Sequence, residues 1–385
     1  MKLTVKVFLS CLCAMVLVLT GCESGGAVTE TDVPPQGEAS SASVVESPPQ
    51  SLSEPPTSEP PPEAEISNEW ELDIPENHGM DSAVLEKLHE AAALTEIRSI
   101  VIAKGGYIID EYYNDDDDET TVFGLASCSK SFTGALIGIA IEQGFISGVD
   151  VQIAEFLPQI ATESNKQRIL LKHLLTHTSG IEWYEWSGGT SFRELNRSEN
   201  WVEHVLGKSM VAAPGDYFSY TTGGSHLLGA VLENATGQSL LEFGRENLFE
   251  PMGMDSVAWR ADPQGVTDGG NGISMTARDA AKFGQLYLNG GKWHGKQLIP
   301  EEWVAESTKQ QDAGPGGRTG AYGYQWWMRA FGKGQYDTFY AMGHGGQFIF
   351  IVPELELVTV ITSRFSDTYA PWPYFTDYVL EAYTG

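Results

Sequence analysis

The chain has 385 residues, a formal charge of −29, and 23 Lys and Arg against 52 Asp and Glu. That balance excludes the basic patches that nucleic acid or an anionic membrane surface would need. Hydrophobic residues make up 42%, enough for a sizeable core, and the length fits two or three domains or one large catalytic unit.

The chain opens MKLTVKVFLSCLCAMVLVLTGC. Lys2 and Lys6 form a basic start, an apolar run follows, and Leu19-Thr20-Gly21-Cys22 resembles a bacterial lipobox. Residues 1–22 read as a lipoprotein signal peptide rather than a spanning helix. In that pattern the chain is cut before Cys22, which then carries lipid, so the expected location is extracytoplasmic, anchored to the cell membrane. Cys11 and Cys13 leave with the signal. Of four cysteines only Cys128 stays in the folded body, so no disulfide forms within it.

Residues 23–67 hold nine acidic side chains, no Lys or Arg, dense Pro and Ser, and the element SEPP twice, at 53–56 and 58–61. Such a segment buries too little surface to fold and reads as a disordered, self-repelling tether.

The globular body spans 68–385. Residues 99–104 (SIVIAK) and 107–113 (YIIDEYY) form a predicted hairpin around Gly105-Gly106. The acidic run 114–119 lacks the spaced ligands and turn glycine of a calcium loop, so it reads as a solvated loop. Residues 127–144 are apolar nearly all round, which marks a buried helix. Residues 145–300 mix helical patterns with loops. Within 272–291 an amphipathic helix follows a Thr276 cap and ends at Gly290-Gly291. Residues 347–352 and 356–363 are predicted strands joined through Pro353, and 371–383 a closing helix. The expected class is therefore α+β: an antiparallel sheet assembled from both chain ends, flanked by helices, with a mostly helical insertion.

Chemistry concentrates at LASCSKSFTG (125–134). On a helix only Ser127 lies three residues from Lys130 on one face, and the first turn favours a developing oxyanion. A serine hydroxyl needs a base, and a lysine serves only if burial lowers its pKa. The same pattern also fits a helix-capping serine beside a surface lysine. His173 and His177 are four apart, but HLLTH lacks the glutamate of a zinc-protease helix, so a structural role is expected and no metal. No G-x-S-x-G elbow occurs. Trp183, Tyr184 and Trp186 wall either a substrate cleft or an ordinary core.

ASCSK followed by SFTG resembles the first motif of the serine β-lactamase and penicillin-binding-protein superfamily. More narrowly it is similar to the class C β-lactamase-like group, which includes D,D-peptidases, esterases and 6-aminohexanoate-dimer hydrolases. LLKHLLTHTSGI (170–181), FSYTTGGSHLLGAVLENATGQSL (218–240), AYGYQWW (321–327) and GHGGQFIFIVPELELVTVITS (343–363) follow in the group's order.

The resemblance implies that Ser127 is acylated, that Lys130 and Tyr220 share acid–base work, and that the backbone N–H groups of Ser127 and Gln347 form the oxyanion hole. His344-Gly345-Gly346 stands where β-lactamases have Lys-Thr-Gly. Arg318-Thr319-Gly320 mimics that motif but lies in a loop without a strand. Thr222, His344, Gly345, Gly346, Trp183 and Tyr184 are expected to meet substrate. Thr222 replaces the asparagine of Tyr-x-Asn, and the third motif lacks its lysine. Both departures favour an esterase or amidase, acting on a small molecule or peptide without a cofactor. The alternatives are a β-lactamase or D,D-carboxypeptidase, and a non-catalytic binding lipoprotein. The sequence assigns no oligomeric state.

Overall fold

A computed structural model describes residues 67–160, 165–185, 189–312 and 314–384. Residues 1–66, with Cys22 and nearly all of the expected signal peptide and tether, and Trp186 lie outside the described residues.

The main sheet has eight strands: β1 (Glu71–Leu72), β2 (Ile97–Lys104), β3 (Tyr107–Tyr113), β4 (Ala321–Tyr322), β5 (Trp327–Phe331), β6 (Tyr336–Gly343), β7 (Gln347–Val352) and β8 (Leu357–Ser363). Their spatial order is β1-β3-β2-β8-β7-β6-β5-β4. The expected hairpin is β2–β3, turned by Gly105 and Gly106 at φ 59° and 89°. The chain ends share the sheet because β8 pairs antiparallel with β2, from Leu357 opposite Lys104 to Ser363 opposite Ile97. One pair departs from the antiparallel expectation: the short edge strand β1 runs parallel to β3.

Strand patterning explains why this sheet is buried on both sides. Successive side chains point to opposite faces. Val101, Ala103, Ile349, Ile351, Val358 and Val360 join one core, and Ile100, Ile102, Phe348, Phe350, Leu357 and Ile361 join the other. The second face is covered by the Ser82–Ala92 helix and the C-terminal Trp372–Val379 turns. The closing helix is thus shorter than 371–383, and its latter part, Phe375–Val379, is a π-turn. The two ends of this body are tied where Asp81 N–H donates to Ala382 O at 2.8 Å.

The first face carries the insertion between β3 and β4. Its central helix, Ser129–Glu142, is buried from Ser129 to Ala140, as the unbroken apolar pattern requires. Beside it lies the Ala277–Leu288 helix, capped by Thr276 Oγ1 accepting from Asp279 N–H at 3.1 Å. Residues Ile273–Thr276 ahead of that cap form a strand in a small sheet with Val122–Gly124 and Ala258–Trp259.

The acidic run 114–119 is only partly a solvated loop. Arg98 grips Asp117, whose side chain is 2% exposed.

Candidate active site

Three serines crowd the start of the central helix, and their partners separate them. Ser129 Oγ donates to Ala126 O at 2.6 Å and accepts from Ile273 N–H at 3.1 Å, which pins the helix start to the small sheet. Ser131 Oγ donates to Gln325 O at 2.8 Å. Ser127 alone meets Lys130, at 3.2 Å from Oγ to Nζ. It sits in a 3-10 turn, Ala126–Cys128, that runs straight into the α-helix, so the i, i+3 relation survives. Ala126 holds φ 48°, a left-handed value that costs a non-glycine residue about 1 kcal/mol. That kink turns the half-buried Ser127 out of the helix line while Cys128 goes into the core.

Lys130 is buried. Besides Ser127, its Nζ donates to Thr222 Oγ1 at 3.0 Å and to Gly270 O at 2.7 Å. Burial pulls its pKa down to about 8, against the opposing pull of Glu185 and Asp268. A lysine in this state is about one-tenth neutral at pH 7, far more than an ordinary lysine, and a proton acceptor needs that neutral form.

Tyr220 lies one residue ahead of the Thr221 N-cap of the Thr222–Thr236 helix. Its ring carries Lys130 Nζ 4.7 Å from the centroid, stacks on Trp327 at 5.5 Å and 23°, and meets the His177 ring at 4.5 Å. Burial drives its pKa upward, opposed by a hydrogen bond with Ser127. The phenol is therefore neutral, in the form that can donate a proton.

His177, the first supporting residue under Tyr220, is also neutral. Thr221 N–H donates to its Nδ1 at 3.2 Å, so the proton sits on Nε2 and points to Tyr322 Oη at 3.1 Å. Burial and the Lys130 charge hold its pKa well below 6.5. His173 accepts from Leu170 N–H at 3.0 Å and caps its own short helix. Both histidines thus have structural work, as HLLTH suggests.

The end of β6 packs on the Ala126–Cys128 turn that carries Ser127. A Cβ added at Gly343 would stand 2.3 Å from Leu125 O and 3.1 Å from the Ala126 Cβ. Gly343 pairs with Gln347 across the strand end, and Cys128 Sγ donates to Gln347 O at 3.6 Å. The Gln347 side chain staples β7 to β8 through Ser363 O at 2.6 Å. His344 is exposed at the tip. Gly345 and Gly346 both hold φ 84°, and a Cβ on Gly346 would strike Ser363 Oγ and Pro371. Turn geometry and this close approach require those glycines, a reason nearer home than the substrate contact that the resemblance implies. Arg318 lies over the Tyr369 ring at 4.9 Å, in a loop ahead of β4 as expected.

Two residues expected to meet substrate are otherwise engaged. Thr222 is buried, and its hydroxyl is shared between Lys130 and Glu185, 2.6 Å away. Trp183 is 4% exposed with its ring against Gly223, so it belongs to the core. Tyr184 is 60% exposed.

Glu185 is the residue that sequence reasoning passed over. Its carboxylate takes the Thr222 hydroxyl, the Thr222 N–H at 3.2 Å and the Trp183 indole N–H. The signal for it is EWYEW, which pairs acids with aromatics. Gly270, whose carbonyl holds Lys130, was likewise unmarked in GGNG.

A family model described as Beta-lactamase matches residues 89–383. The 6-aminohexanoate-dimer hydrolase of Paenarthrobacter ureafaciens is 23% identical over 290 residues, 70% of this chain and 73% of that protein. Among solved structures, a putative 6-aminohexanoate-dimer hydrolase from Bacillus anthracis superposes with a TM-score of 0.64 at 24% identity, covering 77% of this chain and 79% of that one. A penicillin-binding protein from Bacillus halodurans gives 0.62 at 21% identity, covering 77% and 99%.

Proposed function

Because the chain belongs to the beta-lactamase family, we propose that it is a serine hydrolase that cleaves ester or amide bonds through an acyl-enzyme on Ser127. The observation that carries this is the 3.2 Å contact of Ser127 Oγ with a buried Lys130 whose pKa falls to about 8. Neutral Lys130 takes the Ser127 proton as Oγ attacks the carbonyl carbon. The oxyanion rests on the backbone N–H groups of Ser127 and Gln347. The leaving group departs with a proton delivered through the Tyr220 hydroxyl. Water then attacks the ester, with Lys130 again as base, and Ser127 is restored.

Several features favour an ester or linear amide over a β-lactam. The third motif offers His344 in place of a lysine, and the Thr222 hydroxyl is already engaged. The relative named as a 6-aminohexanoate-dimer hydrolase supports short amides as one substrate class. The N-terminal pattern supports lipid anchoring at Cys22, outside the cytoplasm, with residues 23–67 as the tether.

The test is labelling of the full chain with a fluorescent fluorophosphonate and a fluorescent penicillin, beside Ser127→Ala. The expected result is fluorophosphonate labelling that requires Ser127, with weak penicillin labelling. Equal labelling of the Ala variant overturns the nucleophile. A strong, slowly released penicillin adduct moves the reading to a penicillin-binding enzyme.

A further inference from the structure

The Lys130 amine has three oxygen neighbours: Ser127 Oγ at 3.2 Å, Thr222 Oγ1 at 3.0 Å and Gly270 O at 2.7 Å. A carbonyl only accepts, so one N–H is committed to Gly270. The direction of the Thr222 contact is set from its far side. Glu185 Oε1 lies 2.6 Å from Thr222 Oγ1, and Oε2 accepts from the Thr222 N–H at 3.2 Å and from the Trp183 indole. An ionised carboxylate cannot donate, so the single hydroxyl proton of Thr222 points to Glu185. Thr222 therefore meets Lys130 only as an acceptor and takes a second N–H. A neutral amine has two N–H groups and one lone pair. With both N–H groups committed, the lone pair is left facing Ser127.

We infer that Glu185 is a positioning residue that fixes the direction of the Thr222 hydrogen bond and thereby aims the Lys130 lone pair at Ser127 Oγ. The inference rests on the reading of Ser127 as nucleophile and Lys130 as base. In the step it serves, the Ser127 proton moves onto the Lys130 lone pair while the Oγ–acyl bond forms. The resulting ammonium keeps all three acceptors, and the Glu185 charge balances it. Without a carboxylate beyond it, the Thr222 hydroxyl is free to turn its proton onto the lone pair and block the base.

The other charged or titratable groups facing Lys130 are few. Asp268 sits behind Gly270 and accepts its N–H at 3.0 Å. Cys128 lies on the same turn, Tyr220 lies under the amine, and neutral His177 lies beside Tyr220. Of these, Glu185 alone is joined to Lys130 through a hydroxyl with two possible orientations.

The experiment compares the full-length wild type with Glu185→Gln, Thr222→Ser, Thr222→Val, the Glu185→Gln/Thr222→Val double variant and Ser127→Ala. The readout is the fluorophosphonate labelling rate across neutral and alkaline pH, with thermal melting as the check on folding. Glutamine keeps the size of Glu185 but turns an amide toward groups that are all donors. Glu185→Gln is expected to lower the maximal rate by about 10²-fold. It also moves the rise of rate with pH toward acid, since the lost charge no longer favours the ammonium. Thr222→Ser, which keeps a hydroxyl, stays within about threefold of wild type, whereas Thr222→Val falls with Glu185→Gln. The double variant is no slower than Thr222→Val, because both act through one contact.

A full rate in Glu185→Gln, or losses that multiply in the double variant, overturns the inference. If Glu185→Gln does not fold, the threonine pair decides, and Thr222→Val labelling as fast as Thr222→Ser overturns it. Labelling of Ser127→Ala at the wild-type rate removes the nucleophile reading itself. That result is distinct from Ser127-dependent labelling that ignores Glu185.

Discussion

Lys130 Nζ stands over the face of the Tyr220 ring, 4.7 Å from its centroid. The ring electrons therefore stabilise the ammonium, and the ring shields it from water. Tyr220→Phe keeps this face and its stack on Trp327 and removes only the hydroxyl. The variant is expected to melt within about 1 kcal/mol of wild type. Turnover of an amide should fall by about 10²-fold or more, because an amine leaving group needs the proton. An ester with a good leaving group needs it less, so p-nitrophenyl ester cleavage should fall much less. Equal losses on both substrates would remove Tyr220 from leaving-group protonation.

Lys130 makes activity and stability respond to pH in linked ways. Its folded pKa of about 8 lies below the ordinary 10.5, so the unfolded chain binds more protons between those values. Stability therefore rises with pH through that window, and below it the folded state carries the full cost of a buried charge, about 3 kcal/mol. Lys130→Met is expected to abolish labelling yet raise the melting temperature at neutral pH by a few degrees, roughly 2–4 °C per kcal/mol at this size. The stranded Gly270 carbonyl offsets part of the gain. The advantage shrinks as pH passes 8, while wild-type kcat/KM climbs through the same value. A variant less stable than wild type at pH 7 would show that Lys130 is a structural anchor more than a strained base.

Anchoring is testable apart from chemistry. The full chain, expressed in a bacterium with a lipoprotein pathway and fed an alkyne-tagged fatty acid, is expected to take up the tag, and Cys22→Ala to take up none while keeping Ser127-dependent labelling. Equal tagging of Cys22→Ala, or an untagged wild type, would remove Cys22 as the anchor.

The parts that were legible in the sequence share one property: their cause is local. The β2–β3 hairpin follows from β-branched runs around two glycines, and the buried helix follows from the apolar pattern of 132–141. Ser127 stands out by its offset from Lys130, which holds because a 3-10 turn leads into the helix without a break. The illegible parts depend on partners far along the chain. Glu185 acts on Thr222, 37 residues away, and looks like any surface acid until that contact is seen. Trp183 looked like a cleft wall because nothing local says that Gly223 opens a slot for its ring. The neutral phenol of Tyr220 is illegible for the same reason, since its burial is created by His177, Tyr322 and Trp327.

Gly343 offers the sharpest test of how closely the strand end fits the turn that carries Ser127. A Cβ there would stand 2.3 Å from Leu125 O and 3.1 Å from the Cβ atoms of Ala126 and Gln347, none of which is the far end of a flexible side chain. Gly343→Ala must push β6 away from Ala126 and Ser127 by several tenths of an ångström. A shift of about 1 Å at reacting groups costs about 10²-fold, so labelling is expected to drop by roughly one to two orders of magnitude. The stability cost of such overpacking is about 1–3 kcal/mol. Gly106→Ala is the matched control: at φ 89° with open space around it, it strains the hairpin turn far from the site. It should lose a comparable amount of stability and label at the wild-type rate. If Gly343→Ala labels as fast as Gly106→Ala, the β6 end does not set the position of Ser127, and the oxyanion site drawn from that strand end loses its structural basis.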